Sequence, residues 1–301
     1  MVQAGYIFIV GLPRTGTTLT RNILNCSEHI GLGGESHFFA DTRRIRFWIN
    51  HDFRHQLARV GNIASDDGAV KAVDYIYSIR KNNFWGKIAK NIDREEFLRA
   101  LLSSDRSDRA LLDIALSFHC NDKLLRGEKT PAHIYSVSTL LKWFPNAKII
   151  HTFRDPRAVF VSQKKKYEKR NLLGVEASIR KMGLVFDLYS SYRIISSWLR
   201  VIELHYEYQQ RYSGQYYLSR YEDLIGEPQS SLQNLCDFLG VEFTEAMMQQ
   251  TSVNSSFVAR NQKQGFDTQA IDRWRNHLHP IIRRWFALWC KKYFLEFGYQ
   301  P

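Results

Sequence analysis

The chain has no cysteine framework. Cys26, Cys120, Cys236 and Cys290 lie far apart, with no Cys-x-x-Cys pair and no histidine partner at metal-ligand spacing. This excludes a disulfide scaffold and a zinc site, so no metal is expected, and it suits the reducing cytoplasm. Long apolar runs are missing too. None approaches the roughly 18 residues that a spanning helix needs, and the first run, Tyr6 to Val10, is too short for a secretory signal core. A soluble, cytoplasmic protein with no transmembrane segment is expected. Linkers, internal repeats and low-complexity stretches are absent as well. With 44% hydrophobic residues among 301, disorder is excluded, and one elaborated domain over 1–301 is favoured over two.

Acidic residues are in deficit: 42 Lys and Arg face 30 Asp and Glu, a formal charge of +12. Such a balance suits nucleic acid, an anionic membrane face, or small and polymeric anions, and charge alone does not choose. The cations are scattered, with local groups at Arg43-Arg44, Lys164-Lys165-Lys166, Arg283-Arg284 and Lys291-Lys292. Solvated helix faces account for most of them.

What is present is a repeated passage from strand to helix. Tyr6-Ile-Phe-Ile-Val10 is a β-rich run that stops at a glycine loop before the helical pattern Leu19, Ile23, Leu24. Ala147 to Phe153 is a second strand, followed by Arg154-Asp-Pro-Arg, with Pro156 suited to a first helical turn. Gln215 to Tyr221 is a third, and Glu227-Pro228 opens a helix that Gly240 ends. The alternation predicts an α/β fold: a three-layer, P-loop-like parallel sheet flanked by helices, with ligands at the carboxyl ends of its strands. Residues 40–122 read as a mostly helical insertion near the acceptor side, including a helix capped by Asp93 with Glu96 at the capping-box position. Residues 174–212 predict one or two long helices. Residues 280–297 predict a terminal amphipathic helix whose Trp285, Trp289 and Phe294 pack on the sheet.

Gly11-x-x-x-x-Gly16-Thr17-Thr18 almost matches the nucleotide-triphosphatase loop, but Thr17 stands where that loop has its lysine. The glycines and the following helix still suit an anion, and Arg14 supplies a cation within the loop. The change suits a group less charged than a triphosphate. The bland reading of the loop is a simple strand-to-helix turn.

In this loop the chain resembles sulfotransferases that use 3′-phosphoadenosine 5′-phosphosulfate (PAPS). Pro13-Arg-Thr-Gly-Thr-Thr18 matches the family's first signature. The resemblance implies that Arg14, Thr15, Gly16, Thr17 and Thr18 bind the 5′-phosphosulfate. Arg154 and Ser162 have the spacing of the pair that holds the 3′-phosphate in the family, and such a spacing lets both converge on one phosphate beside a helix start. Tyr221, in Arg220-Tyr-Glu-Asp-Leu224, is placed by the resemblance near the adenine. Lys129, in Glu128-Lys-Thr-Pro131, matches the lysine that bridges toward the sulfonate. Ser255 and Lys263, in the stretch from Asn254 to Arg273-Trp274, match a Ser and Lys that approach the nucleotide phosphates in the tyrosylprotein and carbohydrate branches. The chain departs from the cytosolic small-molecule enzymes: their Arg-Lys-Gly triplet is replaced by Lys263-Gln-Gly265, and Arg14 stands where they have Lys.

Sulfonate transfer needs an in-line acceptor hydroxyl, a base and cations on the leaving phosphate. Arg14 and Lys129 are the candidates for the bridging oxygen. Gly33-Gly34-Glu35-Ser36-His37 follows the first helix, where the chain returns toward the ligand side. Glu35 matches the catalytic Glu of the tyrosylprotein branch and is the candidate base. His37 is the competitor, and it is read as packed or touching substrate. His51, His55, His119, His133 and His151 read as core or surface residues. The pairs Phe47-Trp48 and Phe84-Trp85 suit either the core or an acceptor site.

The expected activity is O-sulfonation of a hydroxyl on a carbohydrate or glycoconjugate, with tyrosine, lipid or polyketide hydroxyls as variants and no metal required. A P-loop kinase is the second reading. A binder of nucleic acid or heparin-like polymers is the third, supported by charge alone, and specific nucleic-acid binding is not expected. Peripheral contact of the terminal helix with an anionic membrane stays open.

Overall fold

The first apolar run becomes the middle strand of a parallel sheet. In the computed structural model, which describes residues 4–39, 53–120, 123–168, 182–249 and 265–300, β1 spans Gly5–Gly11 and β2 spans Ile30–Gly33. Then follow β3 (Leu125–Lys129), β4 (Lys148–Phe153) and β5 (Tyr216–Arg220). Their order is β2-β3-β1-β4-β5, and every pairing is parallel. The chain leaves β1 toward β2, returns through β3 and crosses to β4. The loop after β1 therefore stands where strand order reverses, the place where open α/β sheets hold ligands.

Between β1 and β2 lies α1 (Thr17–Leu24). Among the described residues, five helices lie between β2 and β3: α2 (Phe53–Val60), α3 (Asp66–Ser78), α4 (Phe84–Asn91), α5 (Arg94–Leu102) and α6 (Asp108–Cys120). Further along come α7 (Val137–Trp143), α8 (Pro156–Glu168), α9 (Leu184–Arg211), α10 (Tyr221–Gly226), α11 (Pro228–Leu239), α12 (Gln269–Asp272) and α13 (Pro280–Glu296).

A strand covered on both faces must be apolar throughout, and β1 divides its side chains between two cores. Ile7 and Ile9 pack with Ile23 and Leu24 of α1 and Leu232 and Leu235 of α11. Phe8 and Val10 face the larger core, with Leu111 of α6, Trp198 and Ile202 of α9, and Phe286 and Phe294 of α13. The expected caps form: Asp93 accepts the Glu96 N–H at 2.9 Å, and Gly240 ends α11 at φ 69°.

Two strands are additions to the sequence reading. β2 contains two glycines and β3 carries Arg126, Glu128 and Lys129, so neither shows a β pattern; pairing with the sheet makes them strands. Phe84 and Trp85 are core residues at 2% exposure. Phe47, Trp48 and His51 lie outside the described residues. The terminal helix requires a correction: Phe294 is buried, but Trp289 is 50% exposed and Trp285 only half-buried. No helix of the described residues is long and apolar enough to cross a membrane.

Candidate active site

Backbone geometry shapes the loop after β1. Gly11, at φ 141°, has no room for a side chain, because a Cβ would lie 2.4 Å from the carbonyl oxygen of Thr152. Gly16, at φ 96°, lies under the Tyr221 ring, which would be 2.7 Å from its Cβ. Arg14 holds φ 75° without being glycine, a conformation that side chains disfavour and that concentrates at functional sites.

Around this loop the structure gathers Arg14, Arg154, Ser162 and Tyr221. Arg14 Nε donates to Ser162 Oγ at 3.0 Å. Arg154 donates to the carbonyls of Arg14 at 3.2 Å and Ala270 at 2.8 Å, and its guanidinium lies 3.8 Å from the Tyr221 ring centre. Burial, and then the like charge of Arg154, draw Arg14 below its ordinary value. The Nε of Arg154 is buried with no partner among the described residues. Two adjacent guanidinium groups with an unused donor make a cradle for an anion.

The structure specifies how Thr15 can take part. Its hydroxyl donates to the Leu12 carbonyl at 2.7 Å and meets the Thr152 hydroxyl at 2.7 Å, so its side chain braces the loop and leaves only the backbone N–H for a ligand. Thr17 and Thr18 occupy the first turn of α1, buried and half-buried. Ser255 and Lys263 lie outside the described residues.

A second cluster forms at the end of β3, which is hydrogen-bonded beside β1. Lys129, its last residue, donates to Glu35 in the loop after β2, and His37 Nε2 is 3.0 Å from the other Glu35 oxygen. Burial alone would raise the Glu35 carboxyl; the His37 hydrogen bond and the Lys129 ammonium outweigh it and pull it down to about 2. Burial draws Lys129 itself downward, against the opposing pull of Glu35. His37 is not packed: its side chain is exposed, at φ 50°. Arg14, grouped with Lys129 in the sequence reading, instead stands with Ser162 and Arg154.

Several contributors escaped the sequence reading. Arg21, one turn beyond Thr17 on α1, is lowered by burial and feels the Glu35 charge. The i to i+4 spacing from Thr17 is the signal that locates it. Glu128, fully buried, accepts the Ser36 N–H at 2.9 Å and the Thr130 hydroxyl at 2.9 Å, and its other oxygen lies 2.8 Å from His133 Nδ1. His133 Nε2 accepts the Phe39 N–H at 3.2 Å, which assigns its proton to Nδ1. The Trp85 indole donates to the Ser36 carbonyl at 2.8 Å. Together these bonds fix the loop on both sides of Glu35 and His37.

The model of the sulfotransferase family matches residues 6–245. An uncharacterized protein of Aquifex aeolicus is 24% identical over 282 residues, covering 92% of this chain and 31% of its own. An omega-hydroxy-beta-dihydromenaquinone-9 sulfotransferase of Mycobacterium tuberculosis is 30% identical over 117 residues, 38% of this chain and 28% of the relative. Protein-tyrosine sulfotransferase 1 of Danio rerio is 23% identical over 306 residues, covering 98% of this chain and 72% of the relative. The chain thus spans about a third of the length of the first two. Among solved structures, the sulfotransferase domain of the Synechococcus PCC 7002 olefin synthase shares the fold. Its TM-score is 0.60 at 18% identity, over 100% of this chain and 97% of that one.

Proposed function

The chain belongs to the sulfotransferase family, and from that premise we propose that it is an O-sulfotransferase taking its sulfonate from PAPS. The observation that carries the donor is the Arg14 and Arg154 pair, with the Arg154 Nε buried and unpartnered among the described residues. These residues fit a nucleotide bearing two phosphate groups. Arg154, Ser162 and Arg14 would hold the 3′-phosphate, the backbone from Arg14 to Thr18 and the start of α1 the 5′-phosphosulfate, and Tyr221 the adenine side. Ser255 and Lys263 remain part of the same proposal.

When bound, the donor supplies a sulfonate whose bond to the phosphate oxygen breaks as a bond to the acceptor oxygen forms. Glu35 takes the acceptor proton. Its pKa is lowered by the His37 hydrogen bond and by Lys129, so an ammonium drawn toward the leaving oxygen weakens the second of these on a half-buried carboxylate whose burial favours protonation. His37 holds the other Glu35 oxygen in place. Arg21 adds positive charge on the same side.

The acceptor is a hydroxyl. A carbohydrate or glycoconjugate is the first class to test, with a tyrosine, lipid or polyketide hydroxyl next, since two relatives are named for a protein tyrosine and a menaquinone. The insertion helices are the proposed acceptor side, because α2 starts with the Phe53 N–H bonded to the His37 carbonyl at 3.0 Å. All four cysteines are free, in keeping with the cytoplasm.

The test is calorimetric titration with 3′-phosphoadenosine 5′-phosphate in the absence of magnesium. Wild type should bind, and Arg154→Ala should weaken binding about a hundredfold, the loss of charge-assisted hydrogen bonds. Binding of magnesium ATP alone would move the loop to a kinase-like enzyme.

A further inference from the structure

The last helix, α13, buries one apolar side and exposes further large apolar side chains on the other. Ile282, Phe286, Cys290 and Phe294 point into the core. On the outer side Leu288 is 72%, Leu295 71%, Trp289 50% and Ile281 48% exposed. Trp285 joins them half-buried, its ring edge-on to Trp289 at 5.7 Å. At 100° per residue, positions 281, 285, 288 and 295 share one face, with Lys292 among them and Trp289 at its edge, so these apolar side chains are grouped rather than scattered exceptions. Such a surface on a chain with little other reason to expose tryptophan marks a contact.

Charge identifies the partner. Arg284 and Lys291 border the stripe, Lys292 lies within it, and all three are exposed. Neither Arg284 nor Lys291 pairs with a carboxylate among the described residues. Glu296 is the sole acid of the helix, and it accepts a hydrogen bond from Tyr206. We propose that this face of α13 docks the protein in the plane of an anionic lipid bilayer, with Trp289, Leu288 and Leu295 in the headgroup boundary and the three cations on lipid phosphates. Tryptophan and long cationic side chains with apolar stems are the residue types that suit that boundary. A second copy of the chain is disfavoured, because a two-fold contact would bring these like charges together. The inference stands on α13 alone and does not depend on the transfer reaction.

The experiment is co-sedimentation of the full chain with vesicles of phosphatidylcholine, alone or mixed with phosphatidylglycerol. Wild type should sediment with the mixed vesicles and stay in solution with the neutral ones. Each cation is worth about fivefold in affinity, so Arg284→Gln/Lys291→Gln/Lys292→Gln should lose about a hundredfold. Leu288→Ser/Trp289→Ser should also lose binding, while Lys81→Gln/Lys90→Gln on α4 and its preceding turn should retain it. All these side chains are exposed, and unchanged melting curves establish that the variants are folded. The proposal is overturned if wild type ignores the mixed vesicles, or if the α13 variants sediment like wild type. It is equally overturned if light scattering shows a dimer that Leu288→Ser/Trp289→Ser dissolves in the absence of vesicle binding.

Discussion

The Nε of Arg14 donates to the hydroxyl of Ser162 at 3.0 Å, so a residue of the loop after β1 closes onto the second turn of α8. The contact ties the loop after β1 to α8. It also holds the Arg14 guanidinium beside Arg154, at an electrostatic cost that an anion between them relieves.

Ser162→Ala should therefore weaken binding of 3′-phosphoadenosine 5′-phosphate about tenfold, the worth of a hydrogen bond to a charged group. The melting temperature should change little. Calorimetry and a thermal melt on the same sample check both; an unchanged affinity would remove Ser162 from the donor site.

Glu35→Gln should lower kcat by about a hundredfold or more, the range of a lost general base, while leaving donor affinity intact. A parallel loss of donor binding would show that Glu35 acts through the loop rather than on the acceptor.

The pairing of Glu35 with Lys129 also has a pH signature. A carboxyl lowered from 4.5 to about 2 binds fewer protons folded than unfolded across that window. It therefore adds stability above the upper value, and this is lost as pH falls toward the lower one. Lys129→Met leaves the half-buried carboxyl with His37 alone. Its titration should move upward, and the acid limb of the rate profile with it, as read by pH-dependent initial rates and denaturant unfolding.

His151 is buried and neutral, its Nδ1 2.5 Å from the Tyr216 hydroxyl, and burial lowers it to about 3. Between that value and the ordinary 6.5 the unfolded chain binds the extra proton, so this group contributes stability at neutral pH that fades through the acid range. In denaturant titrations at several pH values, His151→Asn should flatten that slope, even though the variant is less stable at pH 7.

Trp85→Phe keeps the ring stacked on Phe53 at 3.8 Å but removes the donor to the Ser36 carbonyl. A loss of about 1 kcal/mol in stability is expected, with a larger relative fall in kcat than in donor affinity, because the loop it holds carries Glu35. Equal falls in both would assign Trp85 to the fold alone.

Much of the proposed donor side was legible in the sequence because it is local. A strand, a glycine loop and a helix N-terminus occupy consecutive residues, and backbone conformation follows from glycine, proline and apolar spacing. Arg154 and Ser162 were legible for the same reason, being eight residues apart, one just before α8 and the other in its second turn. The base side was only half legible. Glu35 and Lys129 could be named singly, yet their pairing joins residues far apart in sequence. Ser36 and Glu128 lay within the segments of Glu35 and Lys129, Trp85 suited the core or an acceptor site and His133 the core or surface, but nothing in their spacing predicted the bonds that hold the loop.

The sequence by itself determined the α/β alternation, the phosphate loop with its displaced cation, and most helix ends, since each depends on neighbours within a few residues. Tertiary structure alone decided that Gly31 and Glu128 belong to strands, because parallel pairing supplies the hydrogen bonds that their side chains do not favour. It decided that Thr15 braces the loop and that His37 faces solvent. It also left Trp289 outside, because one side of α13 suffices to cover the core and periodicity cannot say which apolar face that will be.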